Sequence, residues 1–195
     1  MKIALFGAAF DPPHLGHLTV AVSVLHQNLA DQIWLVPAKQ HAFGKLLSDP
    51  QNRLQLLSLL VASIRQQYPD LADKIKISTY ELDQAGTSYT YQTLQALQAN
   101  FPHDQFVFVM GSDNLARFNE WQEQSVLAQF PFYIYPRTGY PLEPLLPNMT
   151  LMTGVETVAI SSTLIREKIQ RGETIHDLVP EQIEEYIKQN HLYQT

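Results

Sequence analysis

The stretch IALFGAAFDPPHLGH, residues 3–17, decides the fold of this chain. Its first four residues are continuously apolar, which is typical of a strand buried on both faces of a parallel sheet. The small residues at positions 7–9 follow at once and let a ligand approach the backbone. Two prolines then end the loop and start a helix whose first turn contains His14, Gly16 and His17. The pattern therefore predicts a strand, a ligand-binding loop and a helix in direct succession.

The two histidines at this helix start are three residues apart, so they lie on the same helical face. They also lie at the positive end of the helix dipole, beside backbone N–H groups that favour an anion. Gly16 between them leaves room for a bulky anion such as a polyphosphate. We interpret His14 and His17 as phosphate ligands. Two exposed capping histidines, or a metal site formed with Asp11, are the alternatives.

Similar apolar runs recur along the chain and alternate with amphipathic stretches. Further strands are predicted at residues 33–37, 75–79, 106–110 and 132–135, and strand-like sequence resumes at residue 150. Helices are predicted at residues 14–29, 50–67, 89–99, 119–129, 161–170 and 180–189. This order predicts an α/β fold with a doubly wound, mainly parallel, Rossmann-like sheet in one domain over residues 1–195. Ligands of such sheets bind at the carboxyl ends of the strands, at the topological switch point.

Composition and charge exclude several classes of protein. Hydrophobic residues make up 45% of the 195 residues, which is enough for a substantial core. The formal net charge of −6 argues against a protein that coats nucleic acid. Cysteine is absent, which excludes disulfides, thiolate metal sites and cysteine nucleophiles. No apolar run approaches the roughly 18–20 residues that span a bilayer, and no signal peptide is evident. We therefore expect a cytoplasmic protein that binds neither nucleic acid nor membranes.

A second candidate phosphate site is the segment ISSTLIR at residues 160–166. Ser161 and Ser162 supply cap hydroxyls and free backbone N–H groups at a helix start. Arg166, one turn later, offers a planar fork of donors to a phosphate. Helix capping alone explains such a segment when it stands by itself. Together with the histidine pair, it gives two helix N-termini suited to one triphosphate.

The combined motifs resemble those of the bacterial nicotinate-nucleotide adenylyltransferases, which join nicotinate mononucleotide to ATP in NAD synthesis. The HxGH motif and the ISST motif with its arginine are signatures of nucleotidyltransferases in general. Two further segments are similar to the SYT…TL and GADN…W segments of this family: GTSYT with TL within residues 86–94, and GSDNL with FNEW within residues 111–121. The resemblance covers nearly the whole chain and implies a nucleotidyltransferase version of the Rossmann-like fold.

The resemblance also implies roles for individual residues. The catalytic residues would be His14, His17 and Arg166, which bind the ATP phosphates and stabilise the charge that develops during transfer. The implied ATP-binding residues are Gly7, Ala8, Phe10, Gly16, Gly111, Asp113, Ser161 and Ser162. The implied acceptor-binding residues are Lys45, Tyr89, Thr90 and Trp121. Among these, the backbone at Tyr89 and Thr90 would meet the nicotinate carboxylate, and Trp121 would stack on the pyridine ring.

The implied reaction transfers AMP from ATP to nicotinate mononucleotide and gives deamido-NAD and pyrophosphate. Mg²⁺ would bridge ATP oxygens and be held largely by substrate and water, so no protein metal site is expected. ATP and a pyridine mononucleotide are the expected partners, and the sequence leaves a homo-oligomer open.

Two departures from the family pattern bear on this expectation. Ala8 and Ala9 stand where the family has glycine and threonine, and HAFGK at residues 41–45 replaces the PPHK segment that ends in the family's lysine. The alternatives are a nucleotidyltransferase with another acceptor, such as nicotinamide mononucleotide or phosphopantetheine, or a diverged nucleotide-binding paralogue with little catalysis. Enzymes that use phosphopantetheine lack the SYT segment and Trp121, so their presence argues against that acceptor. The charged phosphate ligands of both motifs are all present, which argues against a paralogue with little catalysis.

Overall fold

The structure is a computed structural model that describes residues 1–40, 44, 46–155 and 159–194. In these residues the strands are Lys2–Ala8 (β1), Gln32–Pro37 (β2), Ile75–Ile77 (β3), Gln105–Gly111 (β4), Phe132–Tyr135 (β5) and Met149–Leu151 (β6). They form one sheet of order β3-β2-β1-β4-β5-β6, in which every neighbouring pair is parallel. The predicted doubly wound parallel sheet is confirmed. Because the chain returns past β1 to place β4, the switch point lies between β1 and β4.

Helices connect the strands. Over the described residues the α-helices are Leu15–His26 (α1), Pro50–Gln67 (α2), Tyr80–Asp83 (α3), Thr90–Asn100 (α4), Ser112–Leu115 (α5), Gln124–Leu127 (α6), Ser162–Gln170 (α7) and Glu181–Gln189 (α8). The start of α2 follows from its sequence, since Asp49 accepts from the N–H of Gln51 at 2.8 Å and Pro50 takes the first helical position. Within the described chain, no helix is long and apolar enough to span a bilayer.

The predicted helix at residues 119–129 is wrong. The structure has a 3₁₀ turn at Phe118–Glu120 and the short α6, separated by Glu123, whose φ of 54° is left-handed and breaks the helical hydrogen bonds. Trp121 lies at the break and packs against Phe118 and Phe108, with ring centroids 5.3 and 6.0 Å apart. Tertiary packing of these rings outweighs the weak local preference for a helix.

The strands are continuously apolar because both faces of the sheet are covered. On β4, Val107 and Val109 face a core that includes side chains of α1, α2, α7 and α8. Phe106, Phe108 and Met110 on the same strand face a second core that includes side chains of α4 and α6. Alternate residues therefore enter opposite cores, and the polar Gln105 lies at the exposed start of the strand.

A buried arginine connects α2 to the loop that follows β1. The side chain of Arg53 is fully buried and donates to four backbone carbonyl groups: Nη1 to Ala9 at 2.9 Å and to Ala38 at 2.7 Å, Nε to Ser48 at 3.0 Å, and Nη2 to Lys39 at 3.5 Å. Ala9 and Ala38 follow β1 and β2, and Ser48 precedes α2. Arg53 thus satisfies buried acceptors that the sheet does not, and holds the ends of two strands together.

Replacement of Arg53 by methionine should strongly destabilise the fold. Arg53→Met leaves buried carbonyl oxygens without donors, at about 1–3 kcal/mol each, so we expect the free energy of unfolding to fall by about 3–5 kcal/mol. Urea denaturation followed by circular dichroism measures the change.

The matched control is Arg65→Met on the same helix. Arg65 is exposed and also donates to two backbone carbonyl groups, those of Ala72 and Ile75, both at 3.0 Å. Water can replace part of these bonds, so the loss should be about 1 kcal/mol. Equal losses in the two variants would contradict the role assigned to Arg53.

Candidate active site

A cavity of about 1010 Å³ opens at the carboxyl ends of β1 and β4, where the topology places the switch point. Most of the predicted site residues lie in its wall: Gly7, Ala8, Phe10, His14, His17, Tyr89, Thr90, Gly111, Asp113, Trp121, Ser161, Ser162 and Arg166. Gly16 is buried in the first turn of α1 and is not among the described residues of the wall. Lys45, predicted to contact the acceptor, lies outside the described residues.

The loop after β1 turns at Phe10, whose φ of 49° is unusual for a residue with a side chain. The Phe10 ring is buried and packs against His17 and Phe6, with centroids 4.8 and 5.7 Å away. Phe10 also lines the cavity, and its contact with ATP stays a prediction. In the structure its ring supports the His17 imidazole from within the core.

The two histidines form a stacked pair at the start of α1, with ring centroids 3.7 Å apart. The backbone N–H of His14 donates to Nδ1 of His17 at 3.1 Å. Because this Nδ1 is an acceptor, a neutral His17 carries its proton on Nε2 and can donate there. Nδ1 of His14 is buried and has no hydrogen-bond partner among the described residues, so a ligand can satisfy it.

Burial keeps both imidazoles neutral in the free protein. Desolvation, with a smaller contribution from the positive charge of Arg137, lowers the pKa of His17 to about 3. The pKa of His14 also lies well below its ordinary value, because of burial first and then the neighbouring His17 and Arg137. At neutral pH each ring therefore offers one N–H donor and no charge, and positive charge must come from arginines and helix N-termini.

The two predicted phosphate elements are joined directly. Ser162 Oγ donates to the carbonyl oxygen of Pro12 at 2.8 Å, and Arg166 Nη1 donates to that of Asp11 at 2.6 Å. Ser161 Oγ caps α7 by accepting from the N–H of Leu164 at 3.1 Å. The Ser162 hydroxyl thus uses its proton within the protein, whereas the Ser161 hydroxyl accepts and keeps its own proton to donate. The donors left for a phosphate are the Ser161 hydroxyl, the first backbone N–H groups of α7 and the remaining N–H groups of Arg166.

Beyond β4, a glycine, an aspartate and an arginine pack closely. A Cβ atom on Gly111 would lie 2.3 Å from Oδ1 of Asp113, so only glycine leaves room for the Asp113 carboxylate to lie against the backbone at position 111. Arg137 Nε lies 3.8 Å from the same oxygen, and Arg137 Nη1 donates to the carbonyl oxygen of Ile160 at 2.9 Å. Arg137 therefore connects the end of β4 to the segment before α7 and brings a positive charge to the histidines.

The sequence analysis missed Arg137, although a signal was present. It lies two residues after β5, at the same edge of the sheet as the other site residues. The segment in which it lies, residues 136–147, is rich in proline, which by itself predicts only a connecting loop.

The region predicted to bind the acceptor lies at the start of α4. Tyr89 is the extended residue before the helix and Thr90 is its first residue, so the N–H groups here lack partners within the helix. Glu81, which the sequence analysis also missed, is buried and accepts from Thr93 Oγ1 at 2.7 Å. Burial raises the pKa of Glu81. Trp121 serves two roles, since it packs in the core and also lines the cavity.

The carboxylate of Asp11 does not join the histidines. Oδ1 accepts from the Tyr193 hydroxyl at 2.8 Å, and Oδ2 accepts from the N–H of Ser48 at 3.0 Å. In the described parts of the chain, no three His, Asp or Glu side chains are grouped so that they could hold a metal ion. The geometry therefore does not support the alternative of a metal site formed by Asp11, His14 and His17.

Comparison with known proteins identifies the family. Residues 5–168 match the family model described as cytidylyltransferase-like. The chain is 37% identical to a probable nicotinate-nucleotide adenylyltransferase of Geobacillus thermodenitrificans, over 98% of this chain and 86% of that protein. It is 31% identical to the nicotinate-nucleotide adenylyltransferase of Bacillus subtilis, over 100% of this chain and 99% of that protein.

A solved structure shares the fold at lower sequence identity. The nicotinic acid mononucleotide adenylyltransferase of Plasmodium falciparum, solved in complex with NaAD, superposes with a TM-score of 0.85 at 21% identity. The match covers 98% of this chain and 97% of that one. At this identity, the likeness concerns the arrangement of strands and helices.

The buried neutral histidines should make stability depend on pH. Histidine in the unfolded chain titrates near pH 6.5, whereas the pKa of folded His17 is about 3. Below pH 6.5 the unfolded chain therefore binds more protons, and stability falls as the pH falls. For His17 alone, we expect the free energy of unfolding to drop by about 2 kcal/mol between pH 7.5 and pH 5.

His17→Asn should remove this part of the pH dependence, because the amide oxygen can still accept from the His14 N–H but does not titrate. Urea unfolding at the two pH values measures the difference. His103→Gln, which changes an exposed histidine, is the control and should keep the parent's pH dependence. An unchanged slope in His17→Asn would show that His17 is not held neutral by burial.

Proposed function

This chain belongs to the nicotinate-nucleotide adenylyltransferases within the cytidylyltransferase-like family, and we propose that it transfers AMP from ATP to nicotinate mononucleotide. The products are deamido-NAD and pyrophosphate, a step of NAD biosynthesis. The observation that carries the proposal is the direct hydrogen bonding between the HxGH region and the ISST region. Ser162 and Pro12, 150 positions apart, are hydrogen bonded, so that two helix N-termini line one cavity.

The reaction needs no protein nucleophile or base. A phosphate oxygen of the acceptor, already ionised at neutral pH, attacks the α-phosphorus of ATP in line. A new P–O bond forms as the bond from the α-phosphorus to the β-phosphate bridging oxygen breaks, and pyrophosphate leaves with that electron pair. The protein contributes positioning and stabilisation of the developing charge.

The neutral histidines suit this task. Nε2–H of His17 and a ring nitrogen of the stacked His14 can donate to phosphate oxygens beside the N-terminus of α1. A bound polyphosphate favours protonated imidazole, so it would raise both pKa values, and the histidines would respond to the charge that grows in the transition state. Arg166, and with it Arg137, supplies the permanent positive charge at the site.

We propose that Mg²⁺ arrives with ATP. Its ligands would be phosphate oxygens and water, as is common for this ion, and it would neutralise charge on the transferred and leaving groups. The chain's own residues would then hold the phosphates that surround the ion. The cytoplasmic location expected from the sequence stays a prediction.

The start of α4 supports nicotinate as the acceptor. The N–H groups at Tyr89 and Thr90 and the positive end of the helix dipole favour a carboxylate. The neutral amide of nicotinamide mononucleotide would place N–H donors against these N–H donors, and an unpaired buried polar group costs about 1–3 kcal/mol. The geometry therefore favours the acid over the amide.

The proposal is tested by steady-state kinetics with three acceptors at saturating Mg-ATP. We expect kcat/KM for nicotinate mononucleotide to exceed that for nicotinamide mononucleotide by roughly 10–100-fold, and phosphopantetheine to be inert. Pyrophosphate release is the readout. Equal or higher values for the amide would contradict carboxylate recognition at α4. Turnover with phosphopantetheine alone would assign another acceptor, and no turnover at all would favour the diverged paralogue.

Arg166→Lys tests the phosphate-binding part of the site. Lysine keeps the charge but loses the planar fork, so we expect kcat/KM for ATP to fall about tenfold or more, while loss of the bond to the Asp11 carbonyl oxygen lowers the melting temperature by only a few degrees. The control is Arg171→Lys at the exposed end of α7, where the arginine pairs with Glu173 at 2.6 Å. This control should keep normal kinetics. A lower melting temperature with normal kinetics in Arg166→Lys would reduce Arg166 to a structural role.

A further inference from the structure

Asp11 lies in the loop between β1 and α1, residues 9–14, which we call the catalytic loop because it leads into the histidine pair. Distant parts of the chain contact this loop at Asp11. Its side chain is only 3% exposed, although it lies in the loop between β1 and α1. The carboxylate accepts from Tyr193 and from the backbone of Ser48, and the carbonyl oxygen accepts from Arg166. One residue therefore receives hydrogen bonds from the segment after α8, the segment before α2, and α7.

Tyr193 reaches Asp11 from outside the cavity. It follows α8, lies 182 positions from Asp11 in sequence, and is not among the described residues of the cavity wall. Burial beside the Asp11 carboxylate raises the pKa of Tyr193, so the phenol stays protonated and acts as the donor. The hydroxyl thus contacts the loop between β1 and α1, although Tyr193 is not among the described residues of the cavity wall.

We propose that Tyr193 is a positioning residue for the transfer reaction, because its hydroxyl holds Asp11 and thereby fixes the loop that sets His14 and His17 against Arg166. Only two residues, both prolines, separate Asp11 from His14, so a shift of Asp11 passes directly to the imidazole. In-line transfer depends steeply on such placement, since a displacement of about 1 Å can cost about 100-fold in rate. The inference rests on the proposed function.

The packing of α8 does not depend on this bond. Ile183 and Ile187 of α8 are buried in the core shared with α1 and α2. In addition, Tyr186 Oη donates to Asn52 Oδ1 on α2 at 3.0 Å. Tyr186 therefore makes a hydrogen bond of similar length from the same end of the chain, but to a helix rather than to the catalytic loop. It is a matched control for Tyr193.

The experiment compares Tyr193→Phe with Tyr186→Phe. We expect kcat to fall about tenfold in Tyr193→Phe with KM for ATP changed less than about threefold, and kcat to stay within about twofold of the parent in Tyr186→Phe. Melting temperatures should fall by similar amounts in the two variants. An unchanged kcat in Tyr193→Phe, or equal losses of kcat in both variants, would overturn the inference.

Coupling through Asp11 is tested by adding Asp11→Ala, which removes the oxygen that accepts from Tyr193. If Tyr193 acts through the carboxylate, Tyr193→Phe should lower kcat no further in the Asp11→Ala background, whereas multiplied losses would mean that Tyr193 acts by another route. If Asp11→Ala does not fold, the imidazole ¹⁵N resonances of His14 and His17 take its place. They should shift in Tyr193→Phe and not in Tyr186→Phe.

These resonances also separate this inference from the proposed function. They report the position of the histidines without turnover, so unshifted signals in Tyr193→Phe would contradict the inference whatever the enzyme's activity. Absence of turnover in the parent with every acceptor would instead contradict the proposed function.

Discussion

The loop after β1 has backbone carbonyl groups that no strand can satisfy, and the site depends on the side chains that satisfy them. Arg53 of α2 donates to Ala9, Arg166 of α7 to Asp11, and Ser162 of α7 to Pro12. Each bond removes an unpaired buried acceptor, and together the three bonds fix the loop to α2 and to α7. The requirement to pair these carbonyl groups is therefore what brings α7, from the last quarter of the sequence, to the histidines near its start.

The electrostatics of the site follow from this packing. A loop held on all sides excludes water from His14 and His17, and burial is the main reason that their pKa values are low. Neutral imidazoles can stack on each other at 3.7 Å without repulsion, which two imidazolium ions could not do. The free protein thus keeps these N–H donors on buried, uncharged rings and leaves the positive charge to Arg137, Arg166 and the helix N-termini. Such a pre-arranged set of donors suits a reaction in which charge moves along a chain of phosphates.

The parts of the fold that local chemistry dictates could be predicted from the sequence. Continuous apolar runs marked the strands, with β5 correct to the residue, and the Asp49-Pro50 pair marked the start of α2. The helix expected around residue 121 failed because the packing of Trp121 on Phe118 and Phe108 decides the local backbone, and these partners are set by the fold. The roles of Arg53 and Tyr193 could not be predicted either, because the oxygens that accept from them lie far away in sequence and are brought near only by the fold.

The two edges of the sheet have a consequence for association between copies of this chain. Both edge strands, β3 and β6, are three residues long, whereas the central β1 and β4 have seven residues each. A short edge exposes few unpaired backbone groups, and it gives a neighbouring molecule little template for adding a strand. The sheet is thereby protected against growth into an intermolecular ribbon. Short edges therefore favour association between copies of this chain through side chains of helices and loops over pairing of their sheets.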